Sequence, residues 1–366
     1  MEDDRDKRYM RLALRLALKG AGRTSPNPMV GAVLVRGGSI VATGYHRRAG
    51  SDHAEIVALK RAGERARGAA LYLNLEPCDH QGRTPPCTAA LIRAGVKKVV
   101  VGMVDPNPLV SGGGIRRLRR AGIQLRVGLL EAECRRLNEA FRKYITRRIP
   151  FVILKLAASL DGRIATSTGE SRWVTGVDAR QYVHHLRDQV DAVIVGAGTV
   201  LADDPRLTCR IPEGSDPLRV VLDGRLRIPL KAHLLHQREA EKTIVVTGSG
   251  APARKVKAIQ DYGVRVWRFP LRRGRIPFAS VLKKLAKMGM LSVMIEGGAI
   301  TAGWALKEGV VDKLLLFYAP KLIGGDGKEM IAALGIKKMS RCKRIRDMAV
   351  KRLGEDFLVS GYLKRH

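Results

Sequence analysis

Apolar positions along residues 7–20 recur at helical spacing, with Tyr9, Leu12, Ala13 and Leu16 on one face, and predict an amphipathic helix. The turn TSPNP at 24–28 leads into the apolar run MVGAVLV, a short strand, and residues 39–44 supply the return strand of a hairpin. HAEIVALKRAGERA, opening at His53, reads as a helix with Asp52 as its N-cap. AALYLNLEP at 69–77 reads as a strand that carries the chain to Cys78. TAALIRAG follows Cys87 as a helix, VKKVVVGMVDP as a strand, GGGIRRLRRAG as a helix and IQLRVGLL as a last strand. This alternation predicts an α/β layered domain that ends near residue 147, where the basic stretch 142–148 forms a linker or the end of a connecting helix.

A second α/β series follows. FVILKLAAS is a strand, DARQYVHHLRDQV a helix, and DAVIVGAGTV a strand running into a loop. RVVLDG, TIVVTG and VRVWRFP are strands, FASVLKKLAKMG a helix, LSVMIEGG a strand and ITAGWALKEG a helix. VDKLLLFYAP and DFLVSGYL close the chain as strands. The pattern therefore predicts two α/β domains, 1–147 and 148–366, with no repeat relating them.

Composition narrows the class. The chain has 366 residues, a length that suits two domains. Aromatics are only 5%, so aliphatic packing must fill the cores. No apolar run reaches the roughly 18–20 residues that cross a bilayer, and MEDDRDKRYM lacks the apolar core of a secretory signal. The five cysteines, Cys78, Cys87, Cys134, Cys209 and Cys342, are odd in number and sparse, which argues against a disulfide framework and for a cytoplasmic protein. The net charge of +33 raises the question of a polyanionic partner. The charges are spread widely and are not interleaved with aromatics, so a solvated basic surface is preferred to a nucleic-acid interface. A small phosphorylated substrate would also benefit from that field.

His53, Cys78 and Cys87 are candidate zinc ligands. Catalytic zinc takes three nitrogen or sulfur donors and keeps a fourth position for water. Placement near helix N-termini would help hold the two thiols deprotonated. Glu55 lies two residues beyond His53, close to the metal without binding it. Its expected role is to take a proton from the attacking water and deliver it to the ring nitrogen and the leaving amine. His-x-Glu matches the zinc-deaminase signature, but the cysteines are nine positions apart where that signature has Pro-Cys-x-x-Cys. A purely structural zinc would want a fourth protein ligand, for which His80 is the candidate.

The long loop is itself informative. LEPCDHQGRTPPC at 75–87, SPNPMVGAVLV at 25–35, HAE at 53–55 and DPNPLVSGGGI at 105–115 resemble the deaminase domain of the bifunctional riboflavin-biosynthesis deaminase-reductase family. The resemblance implies a cytidine-deaminase-like α/β/α fold and zinc-dependent deamination of 2,5-diamino-6-ribosylamino-4(3H)-pyrimidinone 5′-phosphate. By the same resemblance Asn27 binds the base, and His80, Arg83, Thr84, Asp105 and Asn107 contact substrate. Turn chemistry is the competing reading of the two Asn-Pro pairs.

In the second half, Gly196-Ala-Gly198 after an apolar strand invites a dinucleotide fingerprint. Leu201 stands where that fingerprint needs Gly or Ala, so it is rejected. Gly112–Gly114 likewise reads as a turn and not as a phosphate cradle. KLAASLDGRIATSTGESRWVTG at 155–176, VGAGTVLADDPRLTCR at 195–210, IEGGAITAGW at 295–304 and LIGGDG at 322–327 are instead similar to the reductase domain of the same family. That implies a dihydrofolate-reductase-like fold, NADPH as cofactor, and reduction of the ribosyl group to ribityl. The implied cofactor residues are Ala157, Trp173, Thr199, Asp203, Gly298, Ala299, Ile300, Thr301, Ala302, Gly303 and Trp304. Ala157 stands where some relatives have Gly. The implied substrate residues are Ser171, Arg187, Leu207, Arg210 and Glu296, with Arg187 and Arg210 as bidentate clamps for the 5′-phosphate. Lys155 is a candidate catalytic group for the reduction, and Asp161 a turn residue. The family further implies a homodimer or homotetramer. Two other functions compete. A nucleic-acid-binding zinc deaminase would leave 150–366 unexplained, and a non-catalytic ligand-binding paralogue should have lost a zinc ligand or Glu55, all of which are intact.

Overall fold

The structure is a computed structural model that describes residues 2–79, 86–108 and 110–364. It divides into two compact units, 1–148 and 149–366.

In the first unit the order is α1 (Glu2–Leu18), β1 (Gly31–Arg36), β2 (Ser39–Tyr45), α2 (Ala54–Ala62), β3 (Ala70–Leu73), α3 (Cys87–Arg93), β4 (Lys98–Val101), α4 (Gly113–Arg120), β5 (Gln124–Val127), α5 (Glu131–Leu137) and α6 (Glu139–Arg147). The strands form one sheet in the order β2-β1-β3-β4-β5. β1 runs antiparallel to both β2 and β3, and β3, β4 and β5 are parallel. Alternate residues of a strand face opposite ways. Ala32, Leu34, Leu71, Leu73, Val99 and Val101 pack with Ala54, Ala58, Leu91 and Leu118 of α2, α3 and α4. Val33, Val35, Tyr72 and Val100 pack with Met10 and Ala13 of α1 and Cys134 of α5 on the other face. A three-layer α/β/α unit results. The helices sit close: a Cβ on Gly31 would fall 2.0 Å from the Ala13 carbonyl oxygen, and one on Gly44 2.3 Å from that of Ala54.

The predicted 69–77 strand stops early, at Leu73. The Asn74 amide ends the ladder: its Oδ1 accepts from the Gly31 N–H (2.8 Å) and its Nδ2 donates to the Met29 carbonyl (2.9 Å). Cys78 thus lies in an irregular segment and not at a strand end. Asp52 is not the cap of α2. His53 occupies that position without a side-chain cap, and the Asp52 carboxylate pairs with Lys60 at 2.7 Å.

In the second unit the order is β6 (Phe151–Ser159), β7 (Arg163–Ala165), α7 (Val177–Gln189), β8 (Ala192–Gly196), α8 (Ala197–Asp203), β9 (Leu218–Leu222), β10 (Thr243–Gly248), α9 (Ala253–Asp261), β11 (Arg265–Phe269), α10 (Phe278–Lys287), β12 (Ser292–Glu296), α11 (Ala299–Lys307), β13 (Lys313–Ala319), β14 (Lys328–Glu329), β15 (Arg346–Leu353) and β16 (Asp356–Tyr362). Nine strands form a sheet in the order β11-β10-β9-β8-β12-β6-β13-β16-β15. The first seven are parallel, and the β15–β16 hairpin adds an antiparallel edge. One face is covered by α10 and α11 through Phe278, Val281, Leu285, Ala302 and Ala305. The other is covered by α8 and α9 through Val200, Val256 and Ile259, and by α7 through Ala179 and Val183.

The strand expected over DAVIVGAGTV stops at Gly196, and the chain continues as α8 where the end of that strand and a loop were expected. Gly198, Thr199 and Val200 are poor helix formers, and burial of Ala197 and Val200 holds the turn in place. Among the described residues no helix is long and apolar enough to cross a membrane.

Candidate active sites

The first site lies where α2 and α3 begin. His53 caps α2, Cys87 is the first residue of α3, and Cys78 belongs to the segment after β3. His53 Nδ1 lies 3.2 Å from Cys87 Sγ and 3.5 Å from Cys78 Sγ. Tetrahedral zinc with Zn–N of about 2.05 Å and Zn–S of about 2.3 Å would separate such atoms by about 3.6 Å. The three donors therefore fit zinc, and they form the one such cluster among the described residues. The Cys78 thiol is drawn down to about 4 by its hydrogen bond with Cys87, despite burial. The Cys87 thiol is pushed up by the same bond and by burial. The His53 imidazole is raised by its hydrogen bond to Cys78.

Glu55, in the first turn of α2, is 3% exposed. Its Oε2 is buried with no hydrogen-bond partner. Burial pushes its carboxyl above the ordinary carboxylate range. An unpartnered carboxylate oxygen is costly and marks a place where a water or substrate proton belongs. Asn27 reaches this site through a histidine. Its Nδ2 lies 3.1 Å from His46 Nε2, His46 Nδ1 lies 3.1 Å from the Asp52 carbonyl, and the His46 ring meets His53 edge-on at 5.4 Å.

Asp105 and Asn107 are set by turn chemistry: Asp105 Oδ1 accepts from the Asn107 N–H at 2.8 Å. The residue that organises this corner is Glu76, which sequence reasoning missed. Its buried carboxylate accepts from the N–H groups of Asp105, Gly112 and Ile115 at 3.0–3.1 Å. Gly112–Gly114 is therefore a turn into α4 in which the Gly112 N–H is taken by the Glu76 carboxylate and the Gly113 N–H by the Val110 carbonyl. The only sequence signal for Glu76 was its place in Glu-Pro-Cys. His80, Arg83 and Thr84 lie outside the described residues.

The second site is a cleft of about 870 Å³ at the carboxyl ends of the parallel strands of the second unit, where ligands of open α/β sheets bind. Lys155, Ala157, Ser171, Trp173, Arg187, Thr199, Asp203 and Arg210 line it, as do Gly298, Ala299, Ile300, Thr301 and Trp304. Gly297 and Gly298 both have positive φ (71° and 77°) and lead into the N-terminus of α11. A Cβ on Gly298 would stand 3.0 Å from Thr199 Oγ1, whereas Gly198 has nothing within 4 Å. The Gly297–Gly298 turn opening onto the N-terminus of α11, with open space at Gly198 beside Thr199, fits a pyrophosphate. Trp173 and Ile300, 61% and 69% exposed, offer apolar surface beside them. Ser171 Oγ donates to Asp203 Oδ1 at 3.2 Å. Lys155 is half-buried, with Nζ 5.6 Å from the Phe317 ring centre, and desolvation lowers its pKa.

Four expected contact residues stand back from the cleft. Ala302 and Gly303 face the core, with Ala302 fully buried and Gly303 against the Ala332 carbonyl. Leu207 is buried with φ +57° under α8. Glu296 is buried and grips Arg187, accepting from Nε at 2.7 Å and Nη2 at 2.9 Å. This corrects the expectation for Arg187. The bidentate edge of its guanidinium is taken by Glu296 and Nη1 donates to the Thr208 carbonyl at 3.0 Å, so it is not free to clamp a phosphate with its fork. Arg210 remains exposed in the cleft; its N–H donates to His184 Nδ1 at 3.3 Å. Sequence reasoning also missed Arg180, His184, Arg227 and Arg275 on the walls. In so basic a chain no local signal separates these arginines from solvated ones.

A zinc-type deaminase unit followed by a reductase unit of dihydrofolate-reductase type is the class that fold and sites define. The comparisons with known proteins agree. Residues 3–103 match the cytidine and deoxycytidylate deaminase zinc-binding region, and residues 150–359 match the RibD C-terminal domain. The riboflavin biosynthesis protein RibD of Aquifex aeolicus is 46% identical over 99% of both chains, and that of Escherichia coli K12 is 40% identical over 96% of this chain and 97% of its own. The structure of Acinetobacter baumannii RibD superposes with a TM-score of 0.88 at 39% identity, covering 99% of this chain and 100% of its own. A Thermotoga maritima structure described as a diaminohydroxyphosphoribosylaminopyrimidine deaminase/5-amino-6-(5-phosphoribosylamino)uracil reductase superposes with a TM-score of 0.87 at 38% identity, covering 99% of each. This chain belongs to the RibD family of riboflavin biosynthesis proteins. It is a bifunctional enzyme, a zinc-dependent deaminase joined to an NADPH-dependent reductase.

Proposed function

We propose that the first unit hydrolyses the exocyclic amine of 2,5-diamino-6-ribosylamino-4(3H)-pyrimidinone 5′-phosphate, and that the second reduces the ribosyl group of the product to ribityl. The activities would divide at residues 147/148. The observation that carries the deaminase assignment is the buried, unpartnered Glu55 Oε2 beside three zinc-type donors.

His53, Cys78 and Cys87 hold zinc in this reading, and zinc there supplies the Lewis acidity that makes water nucleophilic near neutral pH. Glu55 takes a proton from the attacking water and passes it to the ring nitrogen. A carbon–oxygen bond forms; Glu55 then takes the second proton from the new hydroxyl and delivers it to the amine, so that the carbonyl forms as the carbon–nitrogen bond breaks and ammonia leaves. Its burial, which raises its pKa, suits a group that must hold a proton mid-reaction. Asn27, fixed by His46, orients the ring; Asp105 and Asn107 shape the adjoining corner; His80, Arg83 and Thr84 complete the substrate contacts.

In the second unit Ala157, Trp173, Thr199, Asp203 and the turn from Gly298 to Trp304 form the cofactor wall, with Ala302 and Gly303 supporting it from behind. NADPH supplies the hydride. Arg210 takes the 5′-phosphate. Lys155, half-buried and lining the cleft, donates the proton or stabilises the sugar oxygen at the reacting end, Ser171 contacts the substrate from the same wall, and the Arg187–Glu296 pair and Leu207 support that wall from behind. We further read the protein as cytoplasmic and as a homodimer or homotetramer that does not bind nucleic acid. The test is to give the purified enzyme the diamino substrate with and without NADPH and to identify products by mass. Release of ammonia without NADPH, and a gain of two hydrogens only with it, is the expected result. Any other order of mass changes would reject it.

A further inference from the structure

The two candidate cysteine ligands are nine positions apart, and only Cys87 stands on a helix. Residues three positions apart share one helical turn, so a Cys-x-x-Cys pair can be set by a helix alone. Cys78 has no such support, because its segment after β3 is irregular. The residues that follow the two cysteines bring it to Cys87. The Thr88 hydroxyl donates to Asp79 Oδ1 at 2.6 Å, and the Thr88 N–H donates to the Cys78 carbonyl at 3.2 Å. The Cys87 N–H lies 3.5 Å from Cys78 Sγ. Two hydrogen bonds thus clasp Cys78 and Asp79 to the first turn of α3.

The clasp is anchored on both sides. Thr88 is fully buried, so its hydroxyl needs a partner there. A hydroxyl that donates to an ionised carboxylate makes the stronger kind of hydrogen bond. Asp79 is partly exposed, and the same oxygen takes a second donor, Arg117 Nη1 of α4, at 2.7 Å. On the other flank of Cys78, the Glu76 carboxylate holds the N–H groups of Asp105, Gly112 and Ile115. Residues 76–79 are therefore tied to α3, to α4 and to the turn before α4, with Cys78 between the ties. Neither Asp79 nor Thr88 has a part in the chemistry proposed above.

We infer that the Asp79–Thr88 hydrogen bond closes the long cysteine spacing of this chain and positions Cys78 as a zinc ligand. Asp79 and Thr88 are positioning residues that act through Cys78 and not on the metal. The inference rests on His53, Cys78 and Cys87 as the ligand set, and adds what holds that set at the spacing zinc requires. Residues that orient metal ligands are worth about 10–100-fold in metal affinity.

The experiment is a titration of zinc into the zinc-free full chain in competition with a chromophoric chelator, for wild type and variants. Thr88→Val keeps the side-chain shape and removes the hydroxyl. Asp79 then keeps Arg117 and is partly exposed, so no buried charge is stranded. Thr88→Val should bind zinc about 10–100-fold more weakly than the wild type, and Thr88→Ser, which restores the hydroxyl, should bind as the wild type does. Asp79→Ala should match Thr88→Val. The double variant should bind no more weakly than either, since all three remove one clasp. Amide exchange in β3 and β4 reports the fold of the first unit and should stay as protected as in the wild type. Unchanged zinc affinity in Thr88→Val, or losses that add in the double variant, would overturn the proposal. If Thr88→Val loses exchange protection, Asp79→Ala decides alone: weaker zinc binding on an intact fold upholds the proposal, and unchanged binding overturns it. Loss of protection in both would overturn it too, since the pair would then act through the fold. Cys78→Ser with undiminished zinc affinity would overturn the ligand set and the clasp together.

Discussion

Glu55 is placed at the metal site by helix geometry, with its carboxyl group against the Cys87 thiol. It sits one turn into α2, two residues from a ligand, and its Oε2 is sealed from solvent without a partner. Exchange of this carboxylate for the isosteric amide keeps shape and burial and removes the proton carrier. Glu55→Gln should therefore lower the rate of ammonia release by about 10²–10⁴-fold, the usual worth of a positioned acid–base group. Zinc content, read by elemental analysis, and NADPH consumption on the deaminated intermediate should not change. Ammonia release that survives the exchange would remove Glu55 from the mechanism. His53, Cys78, Cys87 and Glu55 were legible in the sequence because metal chemistry restricts residue type, and two of the four share a helical turn. Glu76 was not legible, because its role is to accept from three backbone N–H groups that lie 29, 36 and 39 positions further on.

At the scale of elements, Arg187 of α7 and Glu296 at the end of β12 are joined by a buried bidentate pair. Burial alone would raise the Glu296 carboxyl, but Arg187 and then Lys155 outweigh it and hold it at about 2. A folded-state pKa below the unfolded value of about 4.3 stabilises the fold above that pH. The contribution is lost as pH falls from about 4.5 towards about 2. Removing one partner of a buried pair costs about 3–5 kcal/mol. Arg187→Met should therefore destabilise the second unit by about that much at pH 7, and the gap between variant and wild type, read from denaturation midpoints, should narrow below about pH 4 as Glu296 protonates. A gap that does not depend on pH would show that Arg187 acts by packing alone. The pair was invisible in sequence, because its members are 109 positions apart and each matched a family contact position separately. Element boundaries failed for a similar reason. Asn74 ends β3 through contacts with Met29 and Gly31, and α8 forms from poor helix formers because Ala197 and Val200 are buried. The alternation of strands and helices was readable throughout, since strand period and helix period are local properties of the chain.

At the scale of the whole molecule, the two chemistries use separate machinery. The zinc-type donors belong to the first unit, and among the described residues the second unit holds no comparable cluster. The reductase cleft is lined by residues 155–329, within the second unit. In the proposed sequence of steps the deaminated ring, and not the diamino ring, is the substrate of the reduction. Chelation separates the steps. Zinc-free protein given the diamino substrate should release no ammonia and consume no NADPH. The same protein given the deaminated intermediate should consume NADPH at the rate of the untreated enzyme, and added zinc should restore ammonia release. NADPH consumption by the zinc-free protein on the diamino substrate would mean that reduction does not wait for deamination. Loss of the reductase step on chelation would mean that the metal site supports the second unit as well as the first.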